Sequence, residues 1–308
     1  MSKNCAIGFN ISLLHPKYLF TWLGVGIFFI ISLFPSSTRH AIGKKISGII
    51  YKKNSHRYNI INTNLKIAFP GLGDENRDRL VIEHLQWYTV GLVEYSVLFF
   101  ASKRRILDMI EIRGQEHIDD AIEAGKSVII LLAHSVMLEF APVMLGSKYD
   151  VFGSYKTSKN PVLDWMIAKS RCRHAEFVVS REEGLRKLVK SLAPGKVMIF
   201  LPDEDLGTEN AVFAPFFNKP KATLTTTSRI TKMAKAVALP TFTYYDYEKN
   251  KYIVKIGLPL ANYPSTDAVK DAANMNQGLE QLIEENLVQY MWSMKWYKTR
   301  PEGEQDVY

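Results

Sequence analysis

The side chains in this sequence best suited to catalysis are a histidine that follows a buried-strand pattern and a glutamate five positions further on. His134 comes directly after the apolar run 128–133, and Glu139 is the glutamate. A histidine oriented by a carboxylate can act as the general base that removes the proton from a hydroxyl group. Side chains just past the carboxyl end of a parallel strand are also where open α/β sheets bind ligands. Position and residue type therefore indicate a hydroxyl-activating site.

The spacing of this pair is weak evidence when it is taken alone. No other histidine in the chain is followed at the same distance by an acidic residue, but a single such pair is what chance would produce. Five residues of regular helix turn the chain by about 500°, so the two side chains would not share a helix face. They can meet only if His134 lies in a bend and Glu139 in the helix after it. A histidine satisfied by backbone groups at a strand end remains the alternative.

Two further polar residues stand at positions that suit a site. Asp203 follows the apolar run 197–202, so it also lies just past a buried-strand pattern. Arg171 falls near the end of a predicted helix. Each has a structural explanation as well, because an aspartate often caps a helix or loop and a cation favours a helix C-terminus. On their own, these two residues do not establish a function.

A metal centre is not indicated by the sequence. Glu204 and Asp205 follow Asp203 directly, but no histidine or further carboxylate stands nearby at ligand spacing. The two cysteines, Cys5 and Cys172, are far apart in the chain and form no metal-type cluster with histidines. We therefore expect no metal ligands.

The alternation of patterns along the chain indicates the fold class. With 308 residues, 47% of them hydrophobic, the chain can bury a large core. Strand patterns lie at 109–113, 128–133, 149–155, 177–180, 197–201, 238–245 and 252–256. Helical patterns lie at 75–100, 117–124, 139–145, 161–173, 182–192 and 223–236, and the tail 268–297 reads as one or two more helices. This order predicts a single α/β catalytic domain over 39–308, with a central, mostly parallel sheet flanked by helices.

The N-terminal region predicts a membrane anchor. Residues 18–34 are 17 uncharged, mostly apolar residues, at the short limit for a spanning helix. Tyr18 and Trp22 stand near its start, as interfacial aromatic residues do. A core helix and a signal peptide are the alternatives, although no A-x-A-type cleavage site follows. We assign the anchor to residues 1–38.

The positive charge of the chain is concentrated beside this apolar run. Residues 1–73 contain nine Lys or Arg and no acidic residue, whereas the other 235 residues carry 30 Lys or Arg against 31 acidic residues. The cations after the run suit anionic lipid at the cytoplasmic leaflet, and they are Arg39, Lys44, Lys45, Lys52, Lys53 and Arg57. The predicted location is the inner membrane, single-pass, with the catalytic domain on the cytoplasmic side. The near-neutral remainder argues against nucleic acid as a partner.

Two segments combine aromatic residues with cations. Residues 213–221 contain three phenylalanines and two lysines, and residues 289–301 contain Trp292 and Trp296 beside three cations. As a helix, the second segment would present both tryptophans on one face. Such a face suits a bilayer interface or a phosphorylated amphiphile, and docking of the aromatic rings on the domain is the alternative.

Taken together, the segments resemble the late acyltransferases of lipid A biosynthesis, the lauroyl and myristoyl transferase family. The resemblance extends from the anchor to the C-terminus. Its elements are the apolar N-terminal run, N-L-K-I-A-F-P at 64–70, G-K-S-V-I-I-L-L-A-H-S-V-M-L-E at 125–139, the helix of Arg171, L-P-D-E-D-L-G at 201–207, V-F-A-P-F-F at 212–217, and Q-Y-M-W followed by K-T-R-P at 289–301. These seven elements in the correct order are a specific signal.

The resemblance implies a reaction and a role for each candidate residue. An enzyme of this family transfers a fatty acyl chain from acyl carrier protein to a hydroxyl of a 3-hydroxyacyl chain on a lipid A precursor, with no cofactor. Its His-x4-acid pair falls on His134 and Glu139, so His134 would be the base and Glu139 would orient it. Arg171 and Asp203 would hold substrate or organise the site. Acyl carrier protein, the lipid A precursor and membrane lipids are the implied partners.

Two alternative functions remain open at this point. A glycerophospholipid or lysophospholipid acyltransferase also uses a His-x4-acid pair, although its acid is usually Asp where this chain has Glu139. A non-enzymatic protein that binds anionic lipid through its basic end is the second alternative. Neither the donor chain length nor the number of chains transferred follows from the sequence.

Overall fold

The centre of the fold, in a computed structural model that describes residues 8–53, 55–180, 186–217 and 219–308, is a seven-stranded sheet. The strands of the chain are β1 Ile110–Arg113, β2 Val128–Leu132, β3 Asp150–Tyr155, β4 Phe177–Ser180, β5 Lys196–Phe200, β6 Ala211–Phe216, β7 Lys219–Leu224, β8 Val237–Asp246 and β9 Lys251–Ile256. The order in the sheet is β1-β9-β8-β2-β5-β3-β4, and every pair is parallel except β8 with β9. The mostly parallel sheet is confirmed.

Helices cover both faces of this sheet. They are α1 Leu19–Leu33, α2 Ser36–Lys53, α3 Ser55–Ala68, α4 Asp74–Phe100, α5 Lys103–Asp108, α6 Glu116–Glu123, α7 Phe140–Lys148, α8 Pro161–Cys172, α9 Arg186–Ser191, α10 Thr226–Ala234 and α11 Ala268–Ile283. Short 3₁₀ helices occur at Ile11–Leu14, Pro16–Tyr18 and Glu284–Gln289. The first residues of the helix predicted at 182–192 lie outside the described residues, and α9 forms the rest.

The central strand β2 shows why the sheet is buried on both faces. All five of its side chains are excluded from solvent. Ile129 and Leu131 pack into one core cluster, whereas Val128, Ile130 and Leu132 pack into the other. Because successive side chains of a strand point to opposite faces, a continuous apolar run is what a strand between two helical layers requires.

The aromatic segments pack into the core rather than against a bilayer. Residues 213–216 and 219–221 belong to an antiparallel hairpin, in which β6 pairs with β7. Its Phe216 and Phe217 are buried, and so are Trp292 and Trp296. Of the two interpretations left open for these tryptophans, docking on the domain is what the structure shows. The predicted helix at 223–236 begins three residues later, because β7 continues through Leu224.

The N-terminal region contains one candidate membrane span among the described residues. Pro16–Leu33 is long and apolar enough to cross a membrane, judged by length and composition. Its helix α1 leaves large apolar side chains such as Phe20 and Leu23 exposed. The prediction that Arg39 faces anionic lipid was wrong, because Arg39 is fully buried and pairs with Glu94. The division into anchor 1–38 and domain 39–308 stays a prediction.

Candidate active site

Two neighbouring parallel strands bring His134 and Asp203 together. Leu131 of β2 pairs with Phe200 of β5, so the residues three positions beyond each strand partner are also adjacent. His134 Nδ1 lies 2.6 Å from Asp203 Oδ1, and the His134 backbone N–H donates to Asp203 Oδ2 over 2.8 Å. Asp203 therefore fixes both the backbone and the ring of His134.

The Asp203 carboxylate is buried and ionised. Burial raises the pKa of Asp203, but the charge that His134 carries when its ring is protonated, the two hydrogen bonds from His134 and the charge of Lys221 outweigh burial and hold the pKa below its usual value. The Tyr290 hydroxyl donates a further hydrogen bond of 3.1 Å to Asp203 Oδ2. An ionised carboxylate only accepts hydrogen bonds, so His134 Nδ1 carries a proton, and in the neutral form of the ring Nε2 keeps its lone pair. This is the tautomer that a general base needs.

Glu139 contacts Arg171 and not His134. The Arg171 guanidinium donates through Nη2 to Glu139 Oε1 and through Nε to Glu139 Oε2, the latter over 3.0 Å. The structure thus differs from the expectation that Glu139 orients His134. The reason lies in the sheet: Asp203 on the adjacent strand occupies the Nδ1 side of the ring, whereas Glu139 precedes α7 and meets α8. Burial disfavours the Arg171 cation, but Glu139 outweighs burial and raises the pKa of Arg171.

His134, Glu139 and Arg171 line one cavity of about 730 Å³. The side chain of His134 is 14% exposed, so it is reachable from this cavity. Apolar side chains form much of the wall, among them Leu132, Leu138, Val151, Phe152, Val178 and Ile199. Polar residues that also line it include Lys156, Glu204, Glu209 and Asn210. A cavity of this size and lining suits an apolar chain attached to a polar group.

The C-terminal segment holds the loop of His134 in place. Ser135 and Tyr290 form an antiparallel bridge. The Met291 N–H donates to the His134 carbonyl over 3.1 Å, and the Val136 N–H donates to the Gln289 carbonyl over 3.0 Å. Segment 289–291 therefore extends the sheet past the end of β2. This explains why the Q-Y-M-W motif accompanies the histidine motif.

Other motifs meet at the same place through side-chain hydrogen bonds. The Asn64 amide donates to the carbonyls of Trp292 and Met294, over 2.7 and 2.6 Å. Asp205 accepts from the backbone N–H and the hydroxyl of Thr299, both over 2.7 Å. The segments at 64–70, 201–207 and 289–301 are thus one scaffold behind the dyad of His134 and Asp203.

Two residues of this site were not found from the sequence. Tyr290 falls within the segment 289–301, but the sequence pattern assigned it no role, and Lys221 was one of the two lysines of the segment 213–221. In the structure Lys221 pairs with Ala214 across the hairpin, and both side chains are buried. In the described ranges, no group of three or more His, Cys, Asp or Glu side chains is placed to hold a metal ion.

Fold and site together define an α/β protein in which a histidine, hydrogen-bonded to a buried aspartate, lines a largely apolar cavity at the carboxyl end of a parallel sheet. The sequence profile of the family described as bacterial lipid A biosynthesis acyltransferase matches residues 6–299. The chain belongs to this family, and it is an acyltransferase.

Individual relatives agree with this assignment over nearly the whole chain. The lipid A biosynthesis lauroyltransferase of Escherichia coli K12 is 30% identical over 296 residues, which cover 96% of each protein. The palmitoleoyltransferase of the same organism is 27% identical and covers 97% of this chain and 98% of that protein. Among solved structures, the 1-acyl-sn-glycerophosphate acyltransferase of Thermotoga maritima matches with a TM-score of 0.38 and 14% identity, over 83% of this chain and 99% of that one.

Proposed function

We propose that this enzyme transfers a fatty acyl chain of the lauroyl or myristoyl class from acyl carrier protein to a hydroxyl of a 3-hydroxyacyl chain on a lipid A precursor. The observation that carries the proposal is the reachable His134 at an apolar cavity, with Asp203 hydrogen-bonded to its far nitrogen. Family membership supports the lipid A precursor as acceptor. The acyl-loaded carrier protein is the donor substrate, and no cofactor takes part.

The proposed chemistry is direct attack of the acceptor hydroxyl on the donor thioester. His134 Nε2 takes the hydroxyl proton while the oxygen forms a bond to the thioester carbonyl carbon. The carbon–sulfur bond then breaks, and the proton passes from His134 to the leaving thiolate. Asp203 stabilises the imidazolium between these two steps, because its ionised carboxylate lies 2.6 Å from Nδ1. No covalent acyl-enzyme is required.

The pair of Glu139 and Arg171 supports a substrate-binding role for the arginine. Glu139 occupies Nε and Nη2 of the guanidinium, so Nη1 takes no part in that pair. Arg171 is 23% exposed and lines the same cavity as His134. A fixed guanidinium of this kind suits a phosphate of the lipid precursor or of the carrier's prosthetic group. Glu139 would then position Arg171.

The proposed location is the inner membrane, with the catalytic domain on the cytoplasmic side. Exposed apolar side chains on α1 and the span Pro16–Leu33 support insertion. Arg39 is buried and does not belong to the lipid-facing cations, but Lys44 and Lys45 on α2 are exposed and can contact anionic lipid. By the positive-inside rule, these lysines lie on the cytoplasmic side of the membrane.

The experiment is mass spectrometry of a lipid A precursor after incubation with the detergent-purified protein. Acyl carrier proteins loaded with chains of several lengths serve as donors, and His134→Ala is the matched variant. A mass gain of one or two acyl groups that is lost in the variant supports the proposal and identifies the chain length. Acylation of a lysophospholipid with no gain on the lipid A precursor would overturn it.

A further inference from the structure

A fully buried lysine lies beside the proposed dyad and takes no part in the mechanism described so far. Lys221 of β7 has no solvent exposure, and its Nζ has no hydrogen-bond partner among the described residues. Its Nζ lies 5.3 Å from the centroid of the Phe216 ring. The Phe216 ring lies 6.1 Å from the ring of Tyr290, whose hydroxyl donates to Asp203. A buried ammonium without hydrogen bonds is costly, so its position requires a compensating charge.

That charge comes from the segment after β5. The groups that attract the Lys221 ammonium are Asp203, Asp205 and Glu204. Burial lowers the pKa of Lys221 to about 8, against the pull of these carboxylates. Asp203 is fully buried and Asp205 nearly so. Asp205 is already held by Thr299, whereas Asp203 is the carboxylate that contacts His134.

The charge balance of the buried site then depends on Lys221. With His134 neutral, Asp203 carries one negative charge that solvent does not reach. Its hydrogen-bond donors are His134 and Tyr290, which are uncharged in this state. Lys221 is the cation that acts on Asp203 beside them. Removing this cation would favour uptake of a proton by the dyad, whichever of its two members received it.

We propose that Lys221 is a positioning residue whose charge keeps Asp203 ionised, so that Asp203 holds the Nδ1–H of His134 and Nε2 is the atom that accepts the proton of the acceptor hydroxyl. Lys221 does not line the cavity with His134 and therefore acts through Asp203. The inference rests on the proposed role of His134 as base. It concerns a residue of the hairpin β6–β7, which gives that hairpin a function beyond packing.

The test compares pH profiles of kcat/KM for Lys221→Met and Lys219→Met, with the same acyl-loaded carrier protein and lipid A precursor. Lys219 lies two residues earlier on the same strand and is exposed. Ionisation of the substrates affects both variants equally. We expect the acid-side midpoint of Lys221→Met to move up by about one pH unit, with about a tenfold loss at acidic pH and little change at alkaline pH. Lys219→Met should keep the wild-type midpoint.

Two further variants separate charge from packing. Lys221→Arg retains the cation and should retain the midpoint, whereas Lys221→Gln should move it as Lys221→Met does. Cooperative unfolding of each variant is checked first, and Lys221→Gln replaces Lys221→Met if the latter does not fold. A uniform loss of activity at every pH, or misfolding of both neutral variants, would show a structural role only and overturn the inference.

His134→Ala keeps this outcome separate from the fate of the proposed function. Full activity in His134→Ala would show that His134 is not the base, and the proposed mechanism would be rejected. Loss of activity in His134→Ala together with an unchanged midpoint in Lys221→Met would reject only the role of Lys221.

Discussion

Arg39 and Glu94 neutralise each other inside the protein, where α2 packs on α4. The Arg39 guanidinium donates through Nε and Nη2 to the two Glu94 carboxylate oxygens, each over 2.8 Å. Neither side chain has any solvent exposure. Arg39 also donates through Nη1 to the Phe34 carbonyl just past the end of α1, over 2.6 Å. The pair therefore ties the helix of the candidate membrane span to the body of the enzyme.

Loss of one member of this pair should destabilise the fold strongly. Arg39→Met leaves Glu94 buried without its partner, and we expect a loss of about 3–5 kcal/mol in the free energy of unfolding. The double variant Arg39→Met/Glu94→Met should recover part of it. Denaturant titration in detergent measures both, and Arg104→Met serves as the control because Arg104 pairs with Asp108 at the surface. Equal stability of Arg39→Met and Arg104→Met would contradict the prediction.

The two carboxylates near His134 should differ in their effects on kinetics. Asp203→Asn removes the acceptor that fixes the Nδ1–H tautomer, so we expect kcat to fall by about 10³–10⁴ with little change in KM. Glu139→Gln leaves the contact between His134 and Asp203 intact, but it weakens the pair that holds Arg171 in place. We therefore expect it to raise KM more than it lowers kcat. Steady-state kinetics with the lipid A precursor gives kcat and KM for each variant and so tests this difference.

The reverse result would restore the arrangement expected from sequence spacing. If Glu139→Gln lowered kcat by the larger factor while Asp203→Asn changed mainly KM, Glu139 would be the residue that orients the base during turnover. Glu285→Gln is a suitable control for both variants, because Glu285 pairs with Lys255 at the surface.

The sequence predicted the strands that carry the site but not the pairing between them. The apolar runs before His134 and Asp203 were both recognisable, because a strand buried on two faces is apolar throughout. Their adjacency depends on strand order, which no local pattern specifies. A fixed spacing in sequence therefore favoured Glu139, whereas the sheet selects a residue 69 positions away from His134.

The burial of individual charged and aromatic residues was the second feature that the sequence did not predict. Arg39 follows an apolar run among other cations, and only its contact with Glu94, 55 residues away, reveals that it is buried. The Trp296 ring stacks on the Tyr290 ring, with 4.9 Å between the centroids, and lies near the His134 ring. The helical spacing of the tryptophans does not predict these contacts. The density of aromatic residues is the same for a bilayer face and for a core.

A buried histidine away from the site should make the fold sensitive to acid. Burial lowers the pKa of His84 to about 4, although its Nδ1–H donates to the Val288 carbonyl over 2.9 Å. The folded state thus favours the neutral ring, and its contribution is fully present above the ordinary value of about 6.5 and is lost as pH falls toward 4. We expect a loss of about 2 kcal/mol between pH 7 and pH 5 from this residue.

The measurement for this prediction is the slope of unfolding free energy against pH. His84→Gln should flatten the slope between pH 7 and pH 5, whatever its effect on stability at pH 7. His56→Gln, at an exposed position, should leave the slope unchanged. Equal slopes in the two variants would show that His84 is not the source of acid sensitivity.

The cavity wall should decide which donor chain is accepted. Val178 lines the cavity of His134, and Val178→Phe would fill part of the space for the acyl chain. Each methylene denied burial costs about 0.8 kcal/mol, so exclusion of two methylenes should lower kcat/KM for the longest accepted donor by about tenfold relative to a donor two carbons shorter. Competition between donors, read by mass spectrometry of the acylated lipid, measures the ratio. Val269→Phe makes the same change at an exposed position of α11 and should not alter it. An unaltered ratio in Val178→Phe would mean that the acyl chain binds outside this cavity.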